Sequence, residues 1–482
     1  MSKRPNIIFI NVESMDGRKM GCMGDQVMES ATPTMDKLAE NGVLFENAYS
    51  NCPVCNPSRA SMWSGKYPHY YECWNNHEGL TDEIPTFIDR LEETDYITNT
   101  FGPLDYEYGQ HSIRDRVGSW TRSANIHRPL SRTSLPRLYD EKIYENDENI
   151  FNNGIEWMKE VKDQEKPFML YLTTGLVHPA FNAQRKYLDK LNLDKIKIPP
   201  GDETDHPVLD YQWATKNCNH QLPEDFIYEI RKTYLAMIAT LDNMVGDFLD
   251  SVSEMGLEES TYIIFTSDHG EMAGEHNQIL KRTMYEPSVH EPLIITGPDV
   301  RKGNVVETPV SLIDIFPTLM DMAEVEDDYD LDGESLMPIL KNKKNDRRDW
   351  VFSEYHGDRC NTGAFMLRKD EWKYIHYVGF KPLLFNLEED PWEINNLAEE
   401  NSDLVAEFRD LLYEIVDVEE VDRKAKKYDK ENFRKWRQEH LEKGDYNKIM
   451  ATVYSGFDRL AIEDIIPWRE EDEKQIKEWL DE

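Results

Sequence analysis

The chain has 482 residues, 93 acidic against 55 basic, for a formal charge of -38, with 39% hydrophobic and 11% aromatic residues. That apolar content fills a large core and is too high for a disordered chain. The acidic surface repels phosphate backbones and anionic headgroups, which excludes nucleic-acid and membrane-surface partners, and no run reaches the roughly 18 apolar residues of a membrane span.

A chain of this length splits into domains. The expected division is a large catalytic domain over 1–346 and a smaller α+β domain with a helical tail over 347–482. Six cysteines are too few for a disulfide framework. An anionic substrate would need a local positive island in this negative molecule.

In chain order, "MSKRPNIIFINVES" has a basic head, but its apolar run is only "IIFI" and no small-residue cleavage site follows. It reads as a buried strand over 6–10, and a cytoplasmic, reducing location is expected. "TPTMDKLAENG" (32–42) reads as a helix with a Thr cap and a Gly stop. "PFMLYLTT" (167–174), "TYIIFTSD" (261–268) and "EPLIITGP" (291–298) read as further buried parallel strands. Residues 224–252 read as a long amphipathic helix with a break in the middle. The alternation predicts an α/β fold, a large mainly parallel mixed sheet between helices. Beyond 346, "WVFSEYH", "FMLRKDEWKYIHY" and "PLLFNLEED" predict short antiparallel strands, then helices over 402–417, 430–442 and 470–481. Trp436, Tyr454, Trp468 and Trp479 of this tail read as core, or else as a pocket wall or a homo-oligomer contact.

One segment carries chemistry on its own terms. In "CNPSRASMWSG" (55–65), Pro57 suits the first turn of a helix and Gly65 its stop. Cys55 then sits at a helix N-terminus, where free N–H groups and the dipole favour anions. Arg59, one turn in, adds a fixed positive fork. A nucleophile attacking an anionic group belongs in such a place. Glu13 and the Asp268-His269 pair follow predicted strands, where open α/β sheets place their sites, and hard oxygen ligands from several loops suit Ca²⁺ or Mg²⁺.

The same string resembles the defining pattern of the sulfatase family: Cys-x-Pro-Ser-Arg, a small residue, a bulky apolar pair, Ser or Thr, and Gly. Cys55, Pro57, Ser58, Arg59, Ala60, Met62, Trp63, Ser64 and Gly65 fill those places. The resemblance extends to "RPNIIFINVES", "TPTMDKLAENGVLFENAYS", "TSDHGEMAGEHNQILK" and "LLFNLEEDPWEINNLA". Within the family, "CWNNHEGL", "FGPLDYEYGQHSIRDRVGSWTR" and "SEYHG" are most similar to arylsulfatase K-type members.

The resemblance implies an alkaline phosphatase-like fold and a Cα-formylglycine made from Cys55 by a separate maturation enzyme. It implies one Ca²⁺, with Mg²⁺ as the alternative, held by Glu13, Asp268, His269 and the Cys55-derived group. It puts Arg59 and Lys281 on the sulfate, His178 at the sulfate or leaving oxygen, and His206 on the substrate. The substrate it implies is a small sulfated anion, a sugar or uronate fragment. For the K type, that means a 2-O-sulfate on a uronic acid of glycosaminoglycans.

Two positions depart from the pattern. Glu13 stands where Asp is expected, whereas Ser14, in place of a second Asp, agrees with the K type. Gly102-Pro103-Leu104-Asp105 stands where K-type enzymes carry Gly-Lys-Leu-Asp, so an active-site Lys is missing and His111 or Arg114 are candidates to replace it. Two other readings stay open: a phosphodiester or phosphonate monoester hydrolase of the same superfamily, and a sulfated-sugar binding protein without turnover.

Overall fold

Asn6–Val12 is buried along its whole length, and its apolar residues serve two cores. Ile8, Ile10 and Val12 face one, Ile7 and Phe9 the other. This alternation is what a strand covered on both faces requires. The computed structural model describes residues 4–108, 120–121, 135–201, 205–216, 218, 221–325, 330–343, 346–455 and 467–481.

The main sheet has seven strands. Their order is Asn304–Val306, Val43–Phe45, Leu293–Thr296, Thr261–Ser267, Asn6–Val12, Phe168–Thr173 and Ile97–Phe101. The pairs of Asn6–Val12 with Thr261–Ser267 and with Phe168–Thr173 are parallel, as is that of Phe168–Thr173 with Ile97–Phe101. Leu293–Thr296, read from sequence as a parallel strand, runs antiparallel to both neighbours, as the mixed sheet allows. The chain leaves Thr261–Ser267 at its carboxyl end, makes only loops and a short helix, and re-enters from the same end. With no crossover to carry it back, it must run the other way.

Helices cover both faces. Glu224–Glu254 is one unbroken helix of 31 residues, not the interrupted one expected, and it packs with Glu145–Val161 and Pro33–Asn41 on one side. Pro33–Asn41 has the expected span, but its cap differs. Thr32 makes no side-chain cap; Asp242 accepts from Thr34 N at 3.2 Å and Met35 N at 2.9 Å. Cys55–Ser64 and Ile315–Met322 lie on the opposite face.

The C-terminal sheet is an antiparallel meander of Trp350–Tyr355, Ala364–Lys369, Trp372–Tyr377 and Leu383–Asn386. One face, with Phe352, Phe365 and Tyr374, meets Phe408 and Leu412 of the Ser402–Ile415 helix. The other, with Tyr355, Met366 and Phe385, packs on Cys52, Val54 and Met272, so it buttresses the segment that leads into Cys55. The helix expected over 430–442 begins earlier, at Val418, runs to Lys443, and is followed by a further helix, Tyr446–Ser455. Trp436 is core there, beside Phe433 and Tyr446, with Trp468 and Trp479 packed against the cluster. Among the described residues no helix is long and apolar enough to cross a membrane.

Candidate active site

Parallel register brings the chemistry together. Val12 pairs with Ser267, so the residues that follow, Glu13 and Asp268, leave the sheet side by side. Thr173 pairs with Asn11, and His178 follows in the next loop. Gly102 leaves the adjoining strand, so close to Thr173 O that a Cβ would lie 1.8 Å from it. With φ at +103°, this close approach requires glycine.

The helix Cys55–Ser64 starts at Cys55 as expected and stops at Gly65, whose φ is +70°. Every residue of this helix is buried. Ser58 Oγ donates to Asp268 O at 2.6 Å, which ties the first turn to the strand end. Cys55 Sγ lies 2.9 Å from Glu13 Oε1 and 3.3 Å from His269 Nε2.

Arg59 joins the two acids. Its Nη2 donates to Glu13 Oε2 at 2.6 Å, its Nε to Asp268 Oδ2 at 2.8 Å, and its Nη1 to Thr173 Oγ1 at 2.7 Å and Pro103 O at 2.8 Å. The resemblance put Arg59 on the sulfate; in the structure most of its fork is spent holding Glu13 and Asp268 in place. Pro103, which cannot supply the missing Lys charge, contributes a carbonyl to this brace instead. Lys281 is the better placed cation. Among the described residues its buried Nζ has no hydrogen-bond partner, and it lies 3.7 Å from Glu13 Oε1. Lys216 Nζ donates to Lys281 O at 2.8 Å and to Gln278 Oε1 at 2.7 Å, fixing the segment from behind.

The electrostatics follow. Burial alone would raise the Glu13 carboxyl, but Arg59, the His269 hydrogen bond and Lys281 together hold it well below the usual carboxylate range. Burial disfavours a charged His269, yet Asp268 and Cys55 prevail and push it up to about 10. His178 goes the other way: burial, then Lys281, pull it down to about 3, so it is neutral. Its Nδ1 faces the Pro179 carbonyl, which can only accept, so Nδ1 carries the proton and Nε2 the lone pair. Asp147 accepts from Gly175 N and Leu176 N and so holds the loop that carries His178.

The donor atoms of Glu13, Cys55, Asp268 and His269 all lie within 4.8 Å of one another. Two carboxylates and an imidazole around one point suit a divalent cation, and the neighbouring Ser14 Oγ is a buried oxygen without a hydrogen-bond partner among the described residues. The residues present therefore fit the metal that the sequence implies.

His206 does not join them. It caps the Pro207–Thr215 helix, with Nδ1 accepting from Val208 N at 3.3 Å and Nε2 facing Lys381 O at 2.9 Å. Both ring nitrogens are committed to the backbone, which leaves none for a substrate. His111 and Arg114 lie outside the described residues. Thr173, Asp147 and Lys216 were not singled out from sequence, because their roles come from contacts with distant segments.

Comparison with known proteins agrees with this geometry. The family described as Sulfatase matches residues 5–325, and N-sulphoglucosamine sulphohydrolase, C-terminal, matches 274–418. The chain is similar to arylsulfatase K of Gallus gallus, 36% identical over 94% of this chain and 89% of that protein. It is 37% identical to arylsulfatase K of Bos taurus over 93% and 88%. A phosphonate monoester hydrolase of Agrobacterium radiobacter has the same fold, with a TM-score of 0.71 and 24% identity over 85% of this chain and 95% of that one. So does a 2-O GAG sulfatase, with a TM-score of 0.67 and 23% identity over 86% and 92%. With the family pattern filled at Cys55 and its acids gathered around it, the chain belongs to the sulfatase family and is a sulfuric ester hydrolase of the arylsulfatase type.

Proposed function

We propose that this sulfatase removes a sulfate ester from a small sulfated uronate fragment, using a formylglycine made from Cys55 and one divalent metal, Ca²⁺ before Mg²⁺. The observation that carries the reading is the Glu13, Cys55, Asp268 and His269 cluster with the Lys281 ammonium 3.7 Å from Glu13. Glu13, Asp268 and His269 would hold the metal. A hydrated formylglycine supplies a hydroxyl nucleophile for sulfur and a second hydroxyl whose collapse releases sulfate, with the metal stabilising charge.

The chain's own residues then have defined tasks. Lys281 neutralises charge on the non-bridging sulfate oxygens. Arg59 holds both acids in place. His178, neutral with its lone pair on Nε2, takes a proton. The uronate preference is supported by similarity to arylsulfatase K and by a structural neighbour described as a 2-O GAG sulfatase. A reducing, cytoplasmic setting is part of the same reading, in keeping with six free thiols.

Two measurements test it. The mass of the Cys55 peptide, after co-expression with a formylglycine-generating enzyme, should show loss of the thiol and gain of an aldehyde. Rates on the sulfate, phosphodiester and phosphonate esters of one phenol should favour sulfate. A preference for phosphonate would move the chain to the other hydrolase class, and an unmodified Cys55 beside a converted control would make it a binding protein.

A further inference from the structure

Two arginines meet on one carboxylate beside the nucleophile segment. Arg282 Nε lies 2.9 Å from Asp358 Oδ1, and Arg359 Nε lies 3.3 Å from Asp358 Oδ2. Arg282 directly follows Lys281, and its N–H donates to Pro53 O at 3.1 Å, two residues ahead of Cys55. Arg359 reaches over from the C-terminal sheet and donates through Nη1 to Thr215 O at 3.0 Å. Only 6% of the Arg282 side chain and 9% of the Arg359 side chain is exposed.

Their remaining donors are not used by the protein. Among the described residues, neither Nη of Arg282 nor Nη2 of Arg359 has a hydrogen-bond partner, yet none of them is sealed from solvent. They open onto accessible space, and the Arg282 backbone is tied to the segment that leads into Cys55. The surroundings are positive. Lys216 is pulled down to about 7, by burial first and then by Arg282 and Arg359. Two guanidinium charges share one Asp. A buried surplus of this kind is costly unless an anion completes it. Planar forks of this type match a carboxylate bidentately.

We propose that Arg282 and Arg359 form a second anion subsite, which receives a carboxylate of the substrate while its sulfate lies at Cys55 and Lys281. This rests on the sulfated-uronate reading and deepens it: specificity for an acidic sugar over a neutral one comes from this pair.

The test is calorimetric titration of the full-length Cys55→Ser chain, which cannot turn over, with 2-O-sulfoglucuronate, 2-O-sulfoglucose and 2,6-di-O-sulfoglucose. The uronate should bind at least roughly tenfold more tightly than either glucose sulfate. Arg282→Met and Arg359→Gln, each with an unchanged melting temperature, should each abolish most of that preference and leave 2-O-sulfoglucose affinity within about twofold. Equal binding of uronate and monosulfated glucose overturns the subsite, as does equal weakening of all three ligands in the variants. Disulfated glucose binding as well as the uronate overturns the carboxylate assignment. Turnover of an aryl sulfate by the formylglycine form is measured in parallel. Turnover without uronate preference overturns the subsite alone, whereas uronate preference in a chain that turns over no sulfate ester overturns the functional reading and leaves the subsite standing.

Discussion

Arg59 Nη2 and Glu13 Oε2 form a fully protein-enclosed ion pair at 2.6 Å, and the same guanidinium closes on Asp268 at 2.8 Å. Three charges are thus held together beside Cys55. Arg59→Ala leaves two buried carboxylates without the guanidinium that joins them and is expected to cost about 3–5 kcal/mol. Arg59→Lys keeps the charge but cannot span both acids and should lose much of that stability too. Urea unfolding midpoints check both.

Glu13→Asp restores the residue that most sulfatases carry, yet it should harm this protein. The carboxylate would retreat by about 1.5 Å. Its partners Cys55, at 2.9 Å, and Arg59, at 2.6 Å, are placed for the longer side chain. Metal affinity, measured by titration of the chelator-stripped chain, should weaken about 10- to 100-fold. Chelation of the parent enzyme should abolish turnover, and Ca²⁺ should restore it.

Lys216 predicts a pH dependence of stability. Burial lowers it from 10.5 to about 7, while the unfolded chain keeps an ordinary lysine. Between these values the unfolded state binds more protons, so stability rises with pH, by at most about 1.4 kcal/mol per unit. Below about 7 both states are charged and the cost of burying the ammonium is present in full. Lys216→Met should remove this slope. The variant's advantage over the parent in urea unfolding should be greatest at low pH and shrink through the alkaline window. Its kcat should fall as well, because Lys281 O loses its donor.

His178→Ala should lower kcat about 10²- to 10⁴-fold, the usual range for an acid–base group. Since His178 titrates at about 3, it contributes no limb to the pH–rate profile near neutrality. The parent and variant profiles should therefore keep the same shape there and differ in height.

Asp242→Ala should act on stability alone. It removes the acceptor for Thr34 N and Met35 N in the first turn of the Pro33–Asn41 helix, which Asp242 caps from the Glu224–Glu254 helix. A lost cap costs about 1–2 kcal/mol. The unfolding free energy from urea titration should fall by that amount, with kcat and KM unchanged.

What the sequence made legible was local. Cys55, Pro57 and Gly65 mark the start and stop of a helix within ten residues, and strand ends announce Glu13 and Asp268. A short apolar run carries no direction, so the reversal of Leu293–Thr296 was hidden until its connection was seen. Caps supplied from afar were equally hidden. Thr32 looks like a cap, but Asp242 performs that task, and His206 looks like a ligand but is spent on Val208 and Lys381. Arg282 and Arg359 acquire a meaning only through Asp358, 76 residues from the first of them.

The burial of Cys55 also sets an order of events. Only 3% of it is accessible, its helix is enclosed, and the sheet that braces its approach begins at Trp350. No modifying enzyme can grip Pro57, Ser58 and Arg59 once that sheet is in place. The proposed conversion therefore belongs to a chain still emerging or still unfolded. At about 5–20 residues per second, synthesis of the intervening stretch opens a window of roughly 15–60 s. Expression rate and supply of the maturation enzyme, more than the stability of the finished fold, then set what fraction of molecules is active.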